Sequence, residues 1–317
     1  MLDVLISLVP ALAVGIFTFG PRALILTVLS VGACLFFEWG YTRLVHKKNP
    51  LGDLSAAVTG VLLAMNLPAA APLWIPVVGA LFAIVIVKQI YGGIGKNIFN
   101  PALAARVFLF LAWSSLMTKW ALPRTALPLF TSAADAVTGA TPLAVMKEGA
   151  LTGLDPFAIF IGQIGGCIGE TSALALLAGG VYLLIRRVIT PRIPVAYLGT
   201  VALLTLIFPK GGDSLRWMLC QLLSGGLMLG AVFMATDYTT SPASIGGQWI
   251  YGVGCGVITV VIRYFGAYNE GVSFAILLMN ALVWGIDMAF KPRRYGIRRF
   301  ARLREKLGVG RTGKREA

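Results

Sequence analysis

Three polar islands interrupt an otherwise apolar chain, and any chemistry has to come from them. The first, Asp135-Ala-Val-Thr138-Gly139-Ala140-Thr141-Pro142-Leu143, offers two hydroxyls and a carboxylate on a small-residue run that composition alone reads as a turn. The second, Lys88-Gln-Ile-Tyr91-Gly92-Gly93-Ile-Gly95-Lys96-Asn97-Ile-Phe99-Asn100-Pro101-Ala102, contains a Gly-Lys pair that invites a phosphate loop. That reading fails, because Ile90 stands where the first glycine is needed and Asn97 replaces the required Ser or Thr. The third, Ala235-Thr236-Asp237-Tyr238-Thr239-Thr240-Ser241-Pro242, brings the Asp237 carboxylate to an apolar boundary, as a solvated cap or as an ion or proton relay. Glu38, Glu170 and Asp287 are the other carboxylates close to apolar segments.

Metal and nucleophile chemistry find little support. Cys34, Cys167, Cys220 and Cys255 are far apart in apolar surroundings with no C-x-x-C pair, and are expected to be packing residues. His46 is the only histidine, so neither a histidine-rich metal site nor a Ser/His/Asp triad is expected. No histidine-based catalysis and no cysteine-pair metal site are expected from these residues.

The elements that must hold these islands are membrane helices. The chain is 57% hydrophobic and 13% charged over 317 residues, against roughly 25% charged for soluble domains. About 20 helical residues cross a bilayer, and ten candidate runs fall as five plus five. They are Val4 to Phe19, Ala23 to Val45, Leu54 to Leu67, Leu73 to Tyr91 and Pro101 to Met117, then Glu170 to Ile185, Val195 to Phe208, Trp217 to Ala235, Trp249 to Phe265 and Val272 to Phe290. The expected architecture is an all-α polytopic membrane protein. Residues 1–117 and 170–290 form its two halves, 118–169 a long outer loop carrying the first island, and 291–317 a basic tail. The third and seventh runs are short, which suits broken or half-length helices lining a site, or run limits that lie a few residues further out. The first lacks a basic n-region and a cleavage site and reads as a retained helix. Gly60 to Leu67 and the helix ending at Lys88 parallel Gly230 to Asp237 and the helix ending at Arg263, either as an inverted repeat or as a chance similarity between apolar helices. Phe157, Phe160, Ile161 and Ile164 suggest a short helix in the outer loop, ended by Gly165-Gly166.

The formal charge of +14 sits mostly in the tail, which holds 11 Lys and Arg against 2 acids. Ile297, Phe300, Leu303 and Leu307 recur there at helical spacing, which suits an anionic lipid surface rather than nucleic acid. With both termini cytoplasmic, 19 Lys and Arg fall on the inner side, among them Lys88, and seven on the outer side, among them Arg22 and Arg263. Arg106 remains inside a span.

The motif Asp135-x-x-Thr138-Gly139-Ala140-Thr141 resembles the flavinylation motif of the family that contains RnfD of the Rnf electron-transport complex and its counterpart in the sodium-pumping NADH:quinone reductase. The second island resembles that family's G-G-x-G-x-N-x-F-N-P-A segment, and Asp53-Leu-Ser55-Ala-Ala-Val-Thr59-Gly60 with Asn66-Leu-Pro68 resembles its preceding helix. A first span opening near Val4, without a long extension ahead of it, places the resemblance nearer the Rnf branch.

The resemblance implies a flavin-carrying subunit of an ion-translocating ferredoxin:NAD oxidoreductase in a bacterial inner membrane, relaying electrons with sodium or proton transport. FMN would be esterified to Thr141 by a flavin transferase that reads Asp135 and Thr138, with the small Gly139 and Ala140 easing entry to that enzyme's site. It also implies a noncovalent riboflavin near the cytoplasmic side, for which Asn97 and Asn100 are the candidate ligands. The alternative for these two is capping of the fifth helix, with Pro101 in its first turn. Iron–sulfur and further flavin subunits would be partners, since the chain has neither a dinucleotide fingerprint nor cluster ligands. A channel or secondary transporter with the same five-plus-five layout is the alternative function.

Overall fold

The computed structural model describes residues 1–46, 51–124, 127–129, 139–151, 153–266 and 268–290. The tail, Lys47, Lys48, Asp135 and Thr138 lie outside the described residues. Fourteen helices follow in order: α1 Leu2–Phe19, α2 Pro21–Leu44, α3 Ser55–Met65, α4 Trp74–Leu81, α5 Pro101–Ala112, α6 Ser114–Met117, α7 Pro142–Lys147, α8 Pro156–Ile161, α9 Ala173–Ile185, α10 Arg192–Ile207, α11 Ser214–Leu223, α12 Leu227–Leu229, α13 Ile245–Phe265 and α14 Val272–Ala289. α4 runs on as a π-helix over Phe82–Gln89, and α12 over Gly230–Met234. Among the described residues there is no strand, only an isolated antiparallel bridge between Pro68 and Cys167.

Each of the ten expected apolar runs is helical. α1, α2, α13 and α14 are long and apolar enough to cross a membrane alone, at 18, 24, 21 and 18 residues. Of the two short runs the third forms the half-length α3, 11 residues long, and a break falls in the eighth as well: α11 and α12 meet at 63° across Ser224–Gly226, where Gly225 takes a left-handed φ of 70°. α10, by contrast, is continuous over its 16 residues. Non-helical backbone is tolerated at membrane depth only when protein satisfies its polar groups. That holds where α3 stops short. Beyond its end the Ile168 and Gly169 N–H groups donate to the Leu67 and Met65 carbonyls at 3.0 and 2.8 Å. So the last residues of the expected outer loop, 166–169, are buried against the end of α3. The short helix in that loop is α8, but Gly162, in the left-handed region at φ 112°, ends it, not Gly165-Gly166.

Packing explains which faces are apolar. α1 crosses α9 to join the two halves, α2 lies on α3, and α10 lies on α13. Gly252 and Gly256 of α13 let α10 approach so closely that a Cβ at either would sit 2.6 Å from Ala196 Cβ or 2.7 Å from Thr200 Cβ. This is the small-xxx-small contact by which membrane helices associate without a hydrophobic drive. At the α1–α9 crossing the contact is tighter, with a Cβ on Gly179 falling 2.1 Å from the Ser7 carbonyl oxygen. Gly179→Ala is therefore expected to destabilise the purified protein by about 1–3 kcal/mol through overpacking. Thermal unfolding in detergent checks this, and an unchanged midpoint would count against the crossing. Outward, Phe17, Val28, Phe36, Leu203, Leu282 and Trp284 are exposed, as a lipid-facing surface requires.

Candidate functional site

At the start of α5 a cavity of about 280 Å³ is lined by residues from five separate segments, among them Val4, Ser55, Lys88, Asn97, Asn100, Leu183 and Asp237. The second and third polar islands, 140 residues apart in sequence, thus meet in one site, and all three of Asn97, Asn100 and Asp237 face it.

Asn100 is built in by its role at the helix terminus. As N-cap of α5 its Oδ1 accepts the Ala102 and Leu103 N–H groups at 3.1 and 3.3 Å, with Pro101 in the first turn. Its Nδ2 donates to the Met234 carbonyl at 3.4 Å, tying α5 to the π-helical end of α12. The capping alternative describes the atoms of Asn100. Asn97 is different: it is buried, and its Oδ1 has no partner among the described residues. A buried amide oxygen without a donor is costly, so of the two Asn97 is the one with capacity left for a ligand.

Asp237 sits in the turn after α12, half-buried. Thr239 donates its N–H and its hydroxyl to the carboxylate at 3.3 and 3.1 Å, and Thr240 its hydroxyl at 3.5 Å. Burial pushes this carboxyl up from its ordinary value, and the donors from Thr239 and Thr240 pull against that. Its bonds are those of a local cap, made at the rim of the cavity.

Behind the cavity wall lies a buried ion pair that sequence reasoning did not assemble. Lys88 Nζ is 2.5 Å from Glu38 Oε1 and donates to Ser55 Oγ at 2.5 Å, while Gln89 Nε2 donates to the same Glu38 oxygen at 2.9 Å. Glu38 Oε2 is buried without a partner among the described residues. A second buried cluster lies further along α5. The Arg106 guanidinium donates to Asn66 Oδ1 at 2.8 Å, to Glu170 Oε1 at 3.2 Å, to Cys167 Sγ at 3.5 Å and to Glu270. Cys167 is thus no mere packing residue. Cys167, Glu170 and Glu270 hold their ligand atoms within 4.8 Å of one another, the one such group among the described residues, but a guanidinium already bridges them. An arginine inside an apolar run demands counter-charge, which was the available signal; which carboxylates answer it is a matter of the fold.

Three charges assigned to a side of the membrane are buried and bonded. Arg22 is buried in the first turn of α2, donating to the Ala69 and Ala71 carbonyls at 3.0 Å each. Arg263 is buried in α13 and donates to the Gln221 and Ser224 carbonyls at 2.6 and 3.1 Å, holding the end of α11 at the break. Lys88 is the third.

Thr141 is not among the residues that line the cavity. It is the N-cap of α7, its Oγ accepting the Ala144 N–H at 3.3 Å, and it is buried. Gly139 N–H donates to the Trp120 carbonyl at 3.2 Å and Ala140 is exposed. α7 docks through Leu143 and Met146 on Trp217 and Cys220 of α11, and Trp217 Nε1 donates to Tyr264 Oη at 2.8 Å. An ester to the Thr141 oxygen would leave an acceptor in the cap position. Reaching that oxygen requires the α7 turn to open, and six residues are too few to hold a helix by themselves.

Comparison with known proteins adds the following. The model described as the NQR2, RnfD, RnfE family matches residues 1–296. The D subunit of the Na(+)-translocating ferredoxin:NAD(+) oxidoreductase complex of Acetobacterium woodii is 49% identical over 302 residues, covering 94% of this chain and 90% of its own. The D subunit of the ion-translocating oxidoreductase complex of Stutzerimonas stutzeri is 43% identical over 330 residues, with 93% and 91% covered. The D subunit of the proton-translocating ferredoxin:NAD(+) oxidoreductase complex of Clostridium ljungdahlii is 40% identical over 311 residues, with 94% and 92% covered.

Proposed function

The chain belongs to the NQR2, RnfD, RnfE family, and from that membership we propose that it is a membrane subunit of an ion-translocating ferredoxin:NAD oxidoreductase complex, carrying two flavins between partner subunits. The match over residues 1–296 carries the assignment to such a complex. Iron–sulfur and flavin subunits supply the reactions with ferredoxin and NAD, and a flavin transferase matures Thr141. The protein resides in a bacterial inner membrane with both termini cytoplasmic and Thr141 on the outer face. Lys88 and the cavity then belong to the inner half.

FMN on Thr141 and riboflavin in the cavity supply the redox chemistry when bound, and the protein supplies position, insulation and charge. The residues fit both groups. Thr141 provides the one hydroxyl of its motif that is placed among the described residues, on a small loop against α11. Asn97 provides an unpaired buried acceptor for the N–H of a pyrimidine edge, in a cavity whose remaining wall is chiefly apolar. Asp237, at the rim with a carboxyl pushed up by burial, is placed to exchange a cation or proton as charge arrives in the cavity. The apolar wall excludes water, and Asn100 fixes the start of α5 beneath it.

Two measurements test this reading. The chain co-expressed with the transferase should fluoresce in gel under ultraviolet light, with mass spectrometry placing an FMN-sized addition on Thr141; an unmodified chain defeats the covalent assignment and favours the transporter alternative. Asn97→Ala should lose the noncovalent flavin at least tenfold while keeping covalent FMN, as counted by extraction and chromatography. Asn100→Ala should weaken α5 by about 1 kcal/mol as a lost cap. Retention of all flavin in Asn97→Ala would remove the cavity assignment.

A further inference from the structure

Among the described residues, Lys88 is the buried side-chain cation in the wall of the cavity, 2% exposed. An ammonium carries three donors. Two are engaged, by Glu38 Oε1 and by Ser55 Oγ, both at 2.5 Å. Ser55 is itself held from behind, donating its hydroxyl to Asp53 Oδ1 at 2.5 Å. The pair is therefore anchored from α2, from the start of α3 and from the π-helical end of α4, and it leaves one donor over. The cavity thus presents a leftover ammonium donor from Lys88 and an unpaired amide acceptor from Asn97. A flavin's pyrimidine edge carries both complements, acceptors at N1 and the carbonyls and a donor at N3. Reduction increases the negative charge of that ring, and charge near N1 is one of the means by which a protein tunes a flavin. A cation in a water-excluded wall acts on it far more strongly than one in solution.

We propose that Lys88, counterbalanced by Glu38, sets the reduction potential of the flavin held in this cavity, favouring its reduced form. The inference rests on the flavin reading of the cavity. Neither side chain gains or loses an electron; the electrons come from a redox centre of the complex and pass on to another. Glu38 tempers the effect, and its second oxygen, buried without a partner among the described residues, keeps a negative charge close to Lys88. Removing either member of the pair should therefore move the potential in opposite directions, which a merely structural pair would not do.

The test uses the full chain in nanodiscs with Thr141→Ala, so that only the noncovalent flavin is titrated spectroelectrochemically. Glu38→Gln should raise the equilibrium constant for reduction at least tenfold, about 30 mV for a two-electron couple or about 59 mV for a one-electron couple, and Lys88→Met should lower it at least tenfold. Lys88→Arg should stay within threefold of the parent. Shifts of the same sign, or no shift, overturn the proposal. Should Lys88→Met fail to fold, with Glu38 left buried against Gln89 alone, Glu38→Gln decides by itself: an upward shift supports the proposal and an unmoved potential overturns it. A parent that carries no flavin in the cavity defeats the reading of the cavity and the inference with it, a result distinct from a loaded parent whose potential ignores both substitutions.

Discussion

Thr141→Ala is expected to abolish covalent flavin on this chain and to reduce electron transfer through the assembled complex to background. The reason is chemical: alanine has no oxygen to esterify, and no other hydroxyl of the motif is held at a docked helix terminus among the described residues. The same substitution removes the N-cap of α7, a loss of about 1 kcal/mol, so Thr141→Ser is the informative companion. Serine keeps both the acceptor and the cap, and should retain flavin and a substantial part of the activity. In-gel fluorescence and ferredoxin-dependent NAD reduction by the complex read the two effects separately. Transfer at the parental rate in a Thr141→Ala complex would show that electrons do not pass through this site.

The second large effect concerns stability. Arg106→Met is expected to destabilise the protein by about 3–5 kcal/mol, because Glu170 and Glu270 would then face each other in the interior with no cation between them. Asn66 and Cys167 would also lose the donors that fasten the end of α3 to the buried segment 166–169. Arg106→Lys keeps the charge but not the planar fork that reaches four partners, and should recover only part of the loss. Thermal unfolding in detergent measures both. A parental unfolding midpoint for Arg106→Met would mean that the cluster contributes nothing to holding the helix breaks together.

The helices were legible because each apolar run answers to bilayer thickness, a local requirement. The start of α5 was legible because Asn100-Pro101 is a cap written in the chain, whereas α13 begins at Ile245 behind its Ser244 cap, ahead of the run expected from Trp249. The break was not legible. Trp217 to Ala235 reads as one apolar run, and only the left-handed Gly225, with Arg263 drawing on the carbonyls before it, turns that run through 63°. Arg22, Lys88 and Arg263 are each assigned a side by position alone, and only the structure shows all three buried and bonded. Hydropathy cannot separate a charge at a helix end that meets water from one that meets a carbonyl, because the difference lies in the neighbouring helix.

By itself the sequence determined the membrane solvent and the rough limits of the apolar runs, and it supplied the resemblance that singles out Thr141. Those follow from composition, from period and from short contiguous patterns. Only the tertiary structure brought Asn97, Asn100 and Asp237 into one cavity, set Lys88 in its wall against Glu38, and showed that Asn100 is spent on its helix while Asn97 is not. Such convergence depends on which helix faces cross at depth, and that is decided by long-range packing, as at Gly179 against Ser7, which no local pattern encodes.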